Sequence, residues 1–253
     1  MKYVLYFFLI CFVMLILLLI MQQIKSENKE ELRRDRYSDA GEATGLHVIR
    51  CYERILKPVI DRILALLGLI FLSPIFLLLC IVIYVTDPGP IFFCQKRVGK
   101  NKEFFMLHKF RSMKMETPHD MPTHLLENPE QYITSVGKIL RKTSLDELPQ
   151  IWDILIGKMS IIGPRPALWN QYDLIDERDK YGANDVKPGL TGWAQINGRD
   201  ELEIDDKARL DGHYCENLSF KFDVKCFCGT IISVLKHEGV VEGGTGVNKD
   251  NRE

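Results

Sequence analysis

Two long apolar stretches dominate the hydrophobic pattern of the chain. Residues 3–21 and 63–85 contain no charged side chain. The first stretch has 19 residues, close to the ~20 that a helix needs to cross a bilayer. A cleaved signal peptide is the alternative, but its apolar core is usually ~7–15 residues long and ends at small residues. We therefore expect a membrane protein, with residues 1–24 as an N-terminal transmembrane anchor.

Basic side chains follow this first stretch. Only Lys2 precedes it, whereas five lysines and arginines lie between residues 25 and 36. Because cytoplasmic flanks carry the excess of Lys and Arg, everything after residue 24 is expected in the cytoplasm. Residues 25–50 mix both charges with little apolar periodicity, which predicts a linker.

The second stretch is interrupted by Ser73-Pro74 near its middle. Proline removes a backbone donor and disfavours the helical conformation of the preceding residue, so the helix should bend or break there. The freed backbone group needs an internal partner, which the Ser73 hydroxyl could supply. Lys and Arg flank both ends of the stretch. The residues alone leave open a kinked crossing or a re-entrant course from one face.

The rest of the chain alternates turns with short periodic segments. A turn at 87–90 and aromatic-rich runs at 91–95 and 103–107 predict a β-hairpin. Helical patterns follow at 134–141, 145–156, 167–181, 203–217 and 223–238. The expected fold class is α+β, mostly helical with short β-hairpins, and residues 241–253 are expected to form a flexible tail.

Charge and cysteine content narrow the functional classes. Lys plus Arg total 33 and Asp plus Glu total 34, for a formal net charge of −1. This balance offers no general cationic surface for phosphate backbones, so no nucleic-acid partner is expected. The seven cysteines include no C-x-x-C pair, which favours reduced thiols over a disulfide framework.

Asp146 and Glu147 are adjacent carboxylates with two possible interpretations. Ser144 and Glu147 have the spacing of a capping box, which would make them helix-start residues. Alternatively, the carboxylates hold a divalent ion while cations bind a pyrophosphate. Basic residues in turn-like contexts favour the second interpretation: Lys109, Arg111, Arg141, Arg165 and Arg199.

Other candidate positions are less specific. Arg165 lies between two prolines that limit its backbone freedom, although a rigid turn could carry an arginine incidentally. Asp205, Asp206 and Asp211 fit a solvated helix face. The chain lacks D-x-D, G-x-x-x-x-G-K-[ST], G-x-G-x-x-G and H-E-x-x-H, so common nucleotide and zinc frameworks are unsupported.

The ordered motifs of the chain resemble a known family. They run K-P-V-I-D-R, D-P-G-P-I-F-F, Q-K-R-V-G, H-K-F-R-S-M, R-K-T-S-L-D-E-L-P-Q, G-K-M-S-I-I-G-P-R-P and K-P-G-L-T-G-W-A-Q-I-N-G-R. In this order they resemble the bacterial sugar transferases, the monotopic phosphoglycosyl transferases. The resemblance implies a catalytic domain over residues 51–240, with 59–85 as a re-entrant helix broken at Ser73 and Pro74.

The resemblance also implies an activity and roles for individual residues. Such enzymes move a sugar 1-phosphate from a UDP-sugar to polyprenyl phosphate, usually undecaprenyl phosphate, and release UMP. Asp146 would be the nucleophile and Glu147 the Mg²⁺ ligand. Substrate phosphates would contact Lys109, Arg111, Arg141, Arg165 and Arg199, with Asp211 matching the family only in part.

The implied setting is the bacterial inner (cytoplasmic) membrane, at the first membrane step of surface polysaccharide or glycoconjugate synthesis. The partners would be the donor, the acceptor, the bilayer and downstream glycosyltransferases, and a homodimer stays open. An N-acetylated hexose is the expected sugar. Two other functions are kept as alternatives: a non-catalytic membrane scaffold and a glycosyltransferase that releases UDP.

Overall fold

The computed structural model describes residues 52–117, 129–198 and 202–236. The expected anchor at 1–24, the linker at 25–50, the tail at 241–253 and Arg199 lie outside these residues. The described part is mostly helical with short sheets, which is the fold class that the sequence predicted. Its main elements are α1 (Lys57–Thr86), β1 (Phe92–Val98), β2 (Phe104–Phe110), α2 (Ser135–Lys142), α3 (Gln150–Leu155), β3 (Ser160–Ile162), α4 (Tyr172–Asp179), β4 (Gly189–Thr191), α5 (Trp193–Ile196), α6 (Ile204–Glu216) and α7 (Phe220–Lys236).

Helix α1 is the apolar element of the described chain. Together with a π-helical turn at Tyr52–Leu56 it is long and apolar enough to cross a membrane, with a mean hydropathy of 3.0 over its most apolar window. Only 11% of that window is buried within the protein. Phe71, Leu77 and Val85 are among its largely exposed side chains, as expected for a surface that contacts lipid.

The Ser73-Pro74 step is accommodated within the helix. Helix α1 continues through Pro74, so the expected break at Ser73 and Pro74 does not interrupt the helix, and a re-entrant course stays a prediction. Pro74 cannot donate to the carbonyl of Ile70, four residues earlier. The Ser73 hydroxyl donates to that Ile70 oxygen at 2.8 Å. The expected partner for the freed group is therefore confirmed.

The first end of α1 is fastened to the rest of the protein through polar contacts. The Lys57 ammonium donates to Asp223 of α7 at 2.6 Å. The Ser160 hydroxyl of β3 donates to Asp61 at 2.6 Å. The charged side chains of Lys57, Asp61 and Asp223 are buried, and their burial costs less because each makes a hydrogen bond.

The predicted hairpin is present and longer than expected. Strands β1 and β2 pair antiparallel from Phe92↔Phe110 to Val98↔Phe104. Side chains of a strand alternate between its two faces, so Gln95, Arg97 and Lys109 share one face. This alternation places several polar groups on the same side of the hairpin.

A second sheet, which the pattern did not predict, joins β3 and β4 in parallel. Ser160 pairs with Gly189 and Ile162 with Thr191. At Gly189 an added Cβ would lie 2.1 Å from the Gly163 nitrogen, so only glycine permits this approach of the two backbones. The close pairing fixes the start of the loop that contains Arg165.

Candidate active site

A left-handed residue, Ser144, separates Asp146 and Glu147 from the helix that precedes them. Helix α2 begins at the Thr134 cap, whose hydroxyl accepts from the Gly137 nitrogen at 2.9 Å. After α2 ends, Ser144 adopts a left-handed conformation with φ of 56°, which is typical just after a helix. A single 3₁₀ turn, Leu145–Glu147, follows. The acidic pair thus lies in the connection between α2 and α3.

The capping-box interpretation of Ser144 and Glu147 is wrong. An N-cap residue needs extended backbone angles, whereas Ser144 is left-handed and its side chain accepts no capping hydrogen bond. The Glu147 carboxylate is instead occupied by cations. Lys109 donates to its Oε1 at 2.8 Å, and Arg165 donates to Oε1 at 2.6 Å and to Oε2 at 3.5 Å.

Asp146 lies beside this ion-pair cluster but is bonded differently. The residue is 8% exposed, and its Oδ2 is 4.0 Å from the Lys109 Nζ. Among the described residues, none donates a hydrogen bond to its carboxyl. Asp146 is therefore held close to positive charge while its oxygens remain available to a ligand.

The two carboxylates differ in acidity. Burial raises the pKa of Asp146, and the charge of Glu147 adds to this, while Lys109, Arg141 and Arg165 oppose it. Burial also acts to raise the pKa of Glu147, but Arg165 and Lys109 outweigh it and hold that pKa well below its usual range. Neighbouring groups whose pKa values are pushed apart are typical of active sites, where they take different roles.

The remaining predicted site residues are distributed over three places. The positive charge of Arg141 acts to lower the pKa of Asp146. Arg111 is buried at the far end of α1, where its guanidinium donates to the Asp87 carbonyl and lies 3.5 Å from the Asp87 carboxylate. Asp211 is bonded to Arg178 of α4. In this structure neither Arg111 nor Asp211 contacts the acidic pair.

Two arginines near the pair were absent from the predicted site. Arg97 donates to the Pro166 carbonyl, and Arg178 donates to the Arg165 carbonyl. Burial and the like charge of Arg165 lower the pKa of Arg97 to about 9, against the opposing effect of Glu147. Strand alternation offered a signal for Arg97, because it shares a hairpin face with Lys109. No local signal distinguished Arg178.

The donor set suits a hard divalent cation. Within the described ranges no group of three or more His, Cys, Asp and Glu side chains is placed to hold a metal ion. Mg²⁺ however commonly takes one or two protein carboxylates and completes its shell with water and substrate phosphate. The adjacent Asp146 and Glu147 carboxylates fit that pattern.

Comparison with known proteins identifies the family. The model of the bacterial sugar transferase family matches residues 52–237. The chain is 40% identical over 186 residues to the uncharacterized sugar transferase EpsL of Bacillus subtilis (strain 168), covering 74% of this chain and 90% of that protein.

Two further relatives carry more specific names. UDP-glucose:undecaprenyl-phosphate glucose-1-phosphate transferase of Escherichia coli (strain K12) is 38% identical over 204 residues, covering 75% of this chain and 44% of the relative. UDP-N-acetylgalactosamine-undecaprenyl-phosphate N-acetylgalactosaminephosphotransferase of Aeromonas hydrophila is 34% identical over 185 residues, with 71% and 44% covered. The chain spans less than half the length of these two. Because the family model matches residues 52–237 and these three relatives are 34–40% identical to it, the chain belongs to the bacterial sugar transferase family.

Proposed function

We propose that this protein transfers a sugar 1-phosphate from a UDP-sugar to polyprenyl phosphate and releases UMP, with Asp146 as a covalent nucleophile. The enzyme class follows from the family: relatives are named as undecaprenyl-phosphate sugar phosphotransferases, and this chain is a phosphoglycosyl transferase. The observation that carries the mechanism is the buried Asp146 carboxyl, which accepts no hydrogen bond from the described residues and lies beside a Glu147 that two cations hold.

The reaction divides into two displacements at one phosphorus atom. An Asp146 oxygen bonds to the phosphorus that carries the sugar, the bond to the bridging oxygen breaks, and UMP leaves. A phosphate oxygen of the polyprenyl acceptor then bonds to the same phosphorus and restores the Asp146 carboxylate. Covalent catalysis of this kind lets a water-soluble donor and a lipid acceptor react in turn.

The cations of the site offset the repulsion between the attacking carboxylate and the pyrophosphate. A carboxylate that approaches a pyrophosphate brings two anions together, so positive charge must be present before the reaction. Lys109 and Arg165 are held by Glu147, and Arg141 acts on Asp146. Glu147 would hold Mg²⁺, and the ion would neutralise the phosphate oxygens and the charge on the departing UMP.

The contacts of α1 support a re-entrant course, and the catalytic domain is proposed to lie on the cytoplasmic side, as the Lys and Arg after residue 24 favour. Its first end is bound to the domain through Lys57 and Asp223. Its last turns pack on the same domain, where Ile83 lies in a buried cluster with Phe110 and Leu140. A helix with both ends on one domain is best placed by entering and leaving the same face of the inner membrane. The acidic pair then lies near the acceptor headgroup.

The donor sugar is proposed to be an N-acetylated hexose. Relatives of similar identity are named for glucose and for N-acetylgalactosamine. Because both sugars occur among relatives of similar identity, the panel of UDP-sugars in the test below decides the donor.

The test uses the full chain in detergent or nanodiscs with UDP-sugars, Mg²⁺ and undecaprenyl phosphate. We expect UMP release, exchange of labelled UMP into the UDP-sugar without lipid, and a mass gain of one sugar phosphate on Asp146. Asp146→Asn, nearly isosteric, should abolish all three while the protein stays folded, and Glu147→Gln should weaken the Mg²⁺ dependence.

Three results would contradict the proposal. Release of UDP would indicate an ordinary glycosyltransferase, and absence of turnover with every donor would indicate a scaffold. Normal turnover by Asp146→Asn would place the nucleophile elsewhere.

A further inference from the structure

The loop that carries Arg165 is held at two successive carbonyl groups. Arg178 of α4 donates from Nη1 to the Arg165 carbonyl oxygen at 3.0 Å. Arg97 of β1 donates from Nη1 to the Pro166 carbonyl oxygen, also at 3.0 Å. Both donors come from elements outside the loop. Since Arg165 donates its side chain to Glu147, these contacts fix the backbone from which the Arg165 guanidinium reaches the acidic pair.

Arg178 is itself held by Asp211 of α6. Its Nε and Nη2 donate to Asp211 Oδ2 at 2.9 and 2.6 Å. Arg178 is 3% and Asp211 1% exposed, so water competes little for these bonds. Because the guanidinium is planar and rigid, hydrogen bonds from two of its nitrogens also fix the direction in which the third nitrogen donates. That third nitrogen is the one bonded to the Arg165 carbonyl.

Packing alone does not account for this arrangement. A buried ion pair that only joined α4 to α6 could be replaced by apolar side chains with little loss of stability, and often with a gain. The bond from Arg178 to the Arg165 carbonyl adds nothing to the packing of α4 on α6. It does connect the ion pair to the loop beside the acidic pair.

We propose that Asp211 and Arg178 are positioning residues for phosphoryl transfer. Asp211 orients Arg178, Arg178 fixes the backbone of Arg165, and Arg165 keeps Glu147 in place beside Asp146. This inference rests on the proposed function. It gives Asp211 an indirect role where the family resemblance implied contact with substrate.

A double-mutant cycle tests the chain of contacts. Asp211→Asn, Arg165→Ala and the double variant are assayed for UMP release with undecaprenyl phosphate and the best of UDP-glucose, UDP-galactose, UDP-N-acetylglucosamine and UDP-N-acetylgalactosamine. Because a ~1 Å misplacement can cost ~100-fold, we expect Asp211→Asn to lower kcat by roughly 10- to 100-fold while KM changes less than about threefold. In the Arg165→Ala background the same substitution should cost almost nothing, since its only route of action is gone.

Two further variants complete the design. Asp206→Asn makes the same change on the same helix, but Asp206 pairs with the exposed Arg209, so wild-type kcat is expected. Arg178→Lys keeps a positive charge facing Asp211 and loses the fork that reaches the Arg165 carbonyl. It should fold, as checked by circular dichroism, and lose kcat as Asp211→Asn does.

The outcomes separate this inference from the proposed function. Wild-type protein that releases no UMP with any donor refutes the proposed function. With an active wild type, the positioning role is overturned by equal losses from Asp211→Asn in both backgrounds, by a loss confined to KM, or by wild-type kcat in Arg178→Lys.

Discussion

Replacing Asp223 should loosen the attachment of the membrane helix to the catalytic domain. Its carboxylate accepts from Lys57 Nζ at 2.6 Å, from the Tyr52 hydroxyl at 2.7 Å and from the Tyr214 hydroxyl at 2.8 Å. Asp223 itself is 8% exposed. Two of the three donors precede or begin α1, so this one carboxylate on α7 binds the first end of that helix.

The expected loss follows from the charge left behind. Asp223→Ala removes the hydrogen-bonded carboxylate of the buried Lys57 ammonium and leaves it only the charge interaction with Asp61. Breaking a buried ion pair from one side costs about 3–5 kcal/mol. For a domain of this size each kcal/mol lowers the unfolding midpoint by roughly 2–4 °C, so the midpoint should fall by about 6–20 °C.

The assay is thermal unfolding of the detergent-solubilised chain, followed by circular dichroism. Asp206→Ala, which breaks an exposed pair with Arg209, serves as the control and should leave the midpoint unchanged. Lys57→Met with Asp223→Leu removes both charges and should recover most of the loss. An Asp223→Ala variant with the same unfolding midpoint as the wild type would refute the reasoning. A double variant as unstable as the single one would mean that packing, not charge, was lost.

Two further predictions concern the acidic site and the loop beside it. Lys109→Met should move the acid limb of the UMP-release profile to higher pH, because Lys109 lowers the pKa of Asp146 and the proposed mechanism needs this carboxyl ionised. Lys102→Met, on the exposed hairpin turn, is the control. An acid limb that stays in place or moves to lower pH contradicts this role of Lys109. Gly192→Ala should lower the unfolding midpoint strongly, because its Cβ would lie 2.1 Å from the Gly163 carbonyl oxygen. Gly68→Ala should be tolerated, since its Cβ would meet the Ile151 side chain at 3.7 and 3.8 Å. A lower midpoint for Gly68→Ala than for Gly192→Ala would show that the loop readily yields.

Local signals predicted the elements well where neighbouring residues decide them. The turn at 87–90 and the aromatic-rich runs at 91–95 and 103–107 indicated the hairpin, and its strands in the structure are Phe92–Val98 and Phe104–Phe110. The proline at position 74 indicated a freed carbonyl, and the serine before it is the observed donor. Such effects act within a few residues, so a sequence pattern carries them.

Ser144 and Glu147 illustrate the limit of the same reasoning. Their spacing satisfies the capping box, and the helical pattern was expected to begin at 145. The observed α3 begins at Gln150, after the 3₁₀ turn Leu145–Glu147. The Glu147 carboxylate is bonded to Lys109 and Arg165, which lie too far along the chain for a local pattern to pair them with it.

The sequence by itself determined the apolar helix, the hairpin and most of the helices, which depend on composition, periodicity and neighbouring residues. The acidic pair and its cations were singled out by the resemblance of the ordered motifs to a family. Only the tertiary structure decided which charges meet: Lys109 reaches Glu147 across 38 positions, Arg178 reaches Asp211 across 33, and Lys57 reaches Asp223 across 166. Such partners are chosen by how the elements pack, since a buried charge must find whichever opposite charge the fold brings within hydrogen-bond distance.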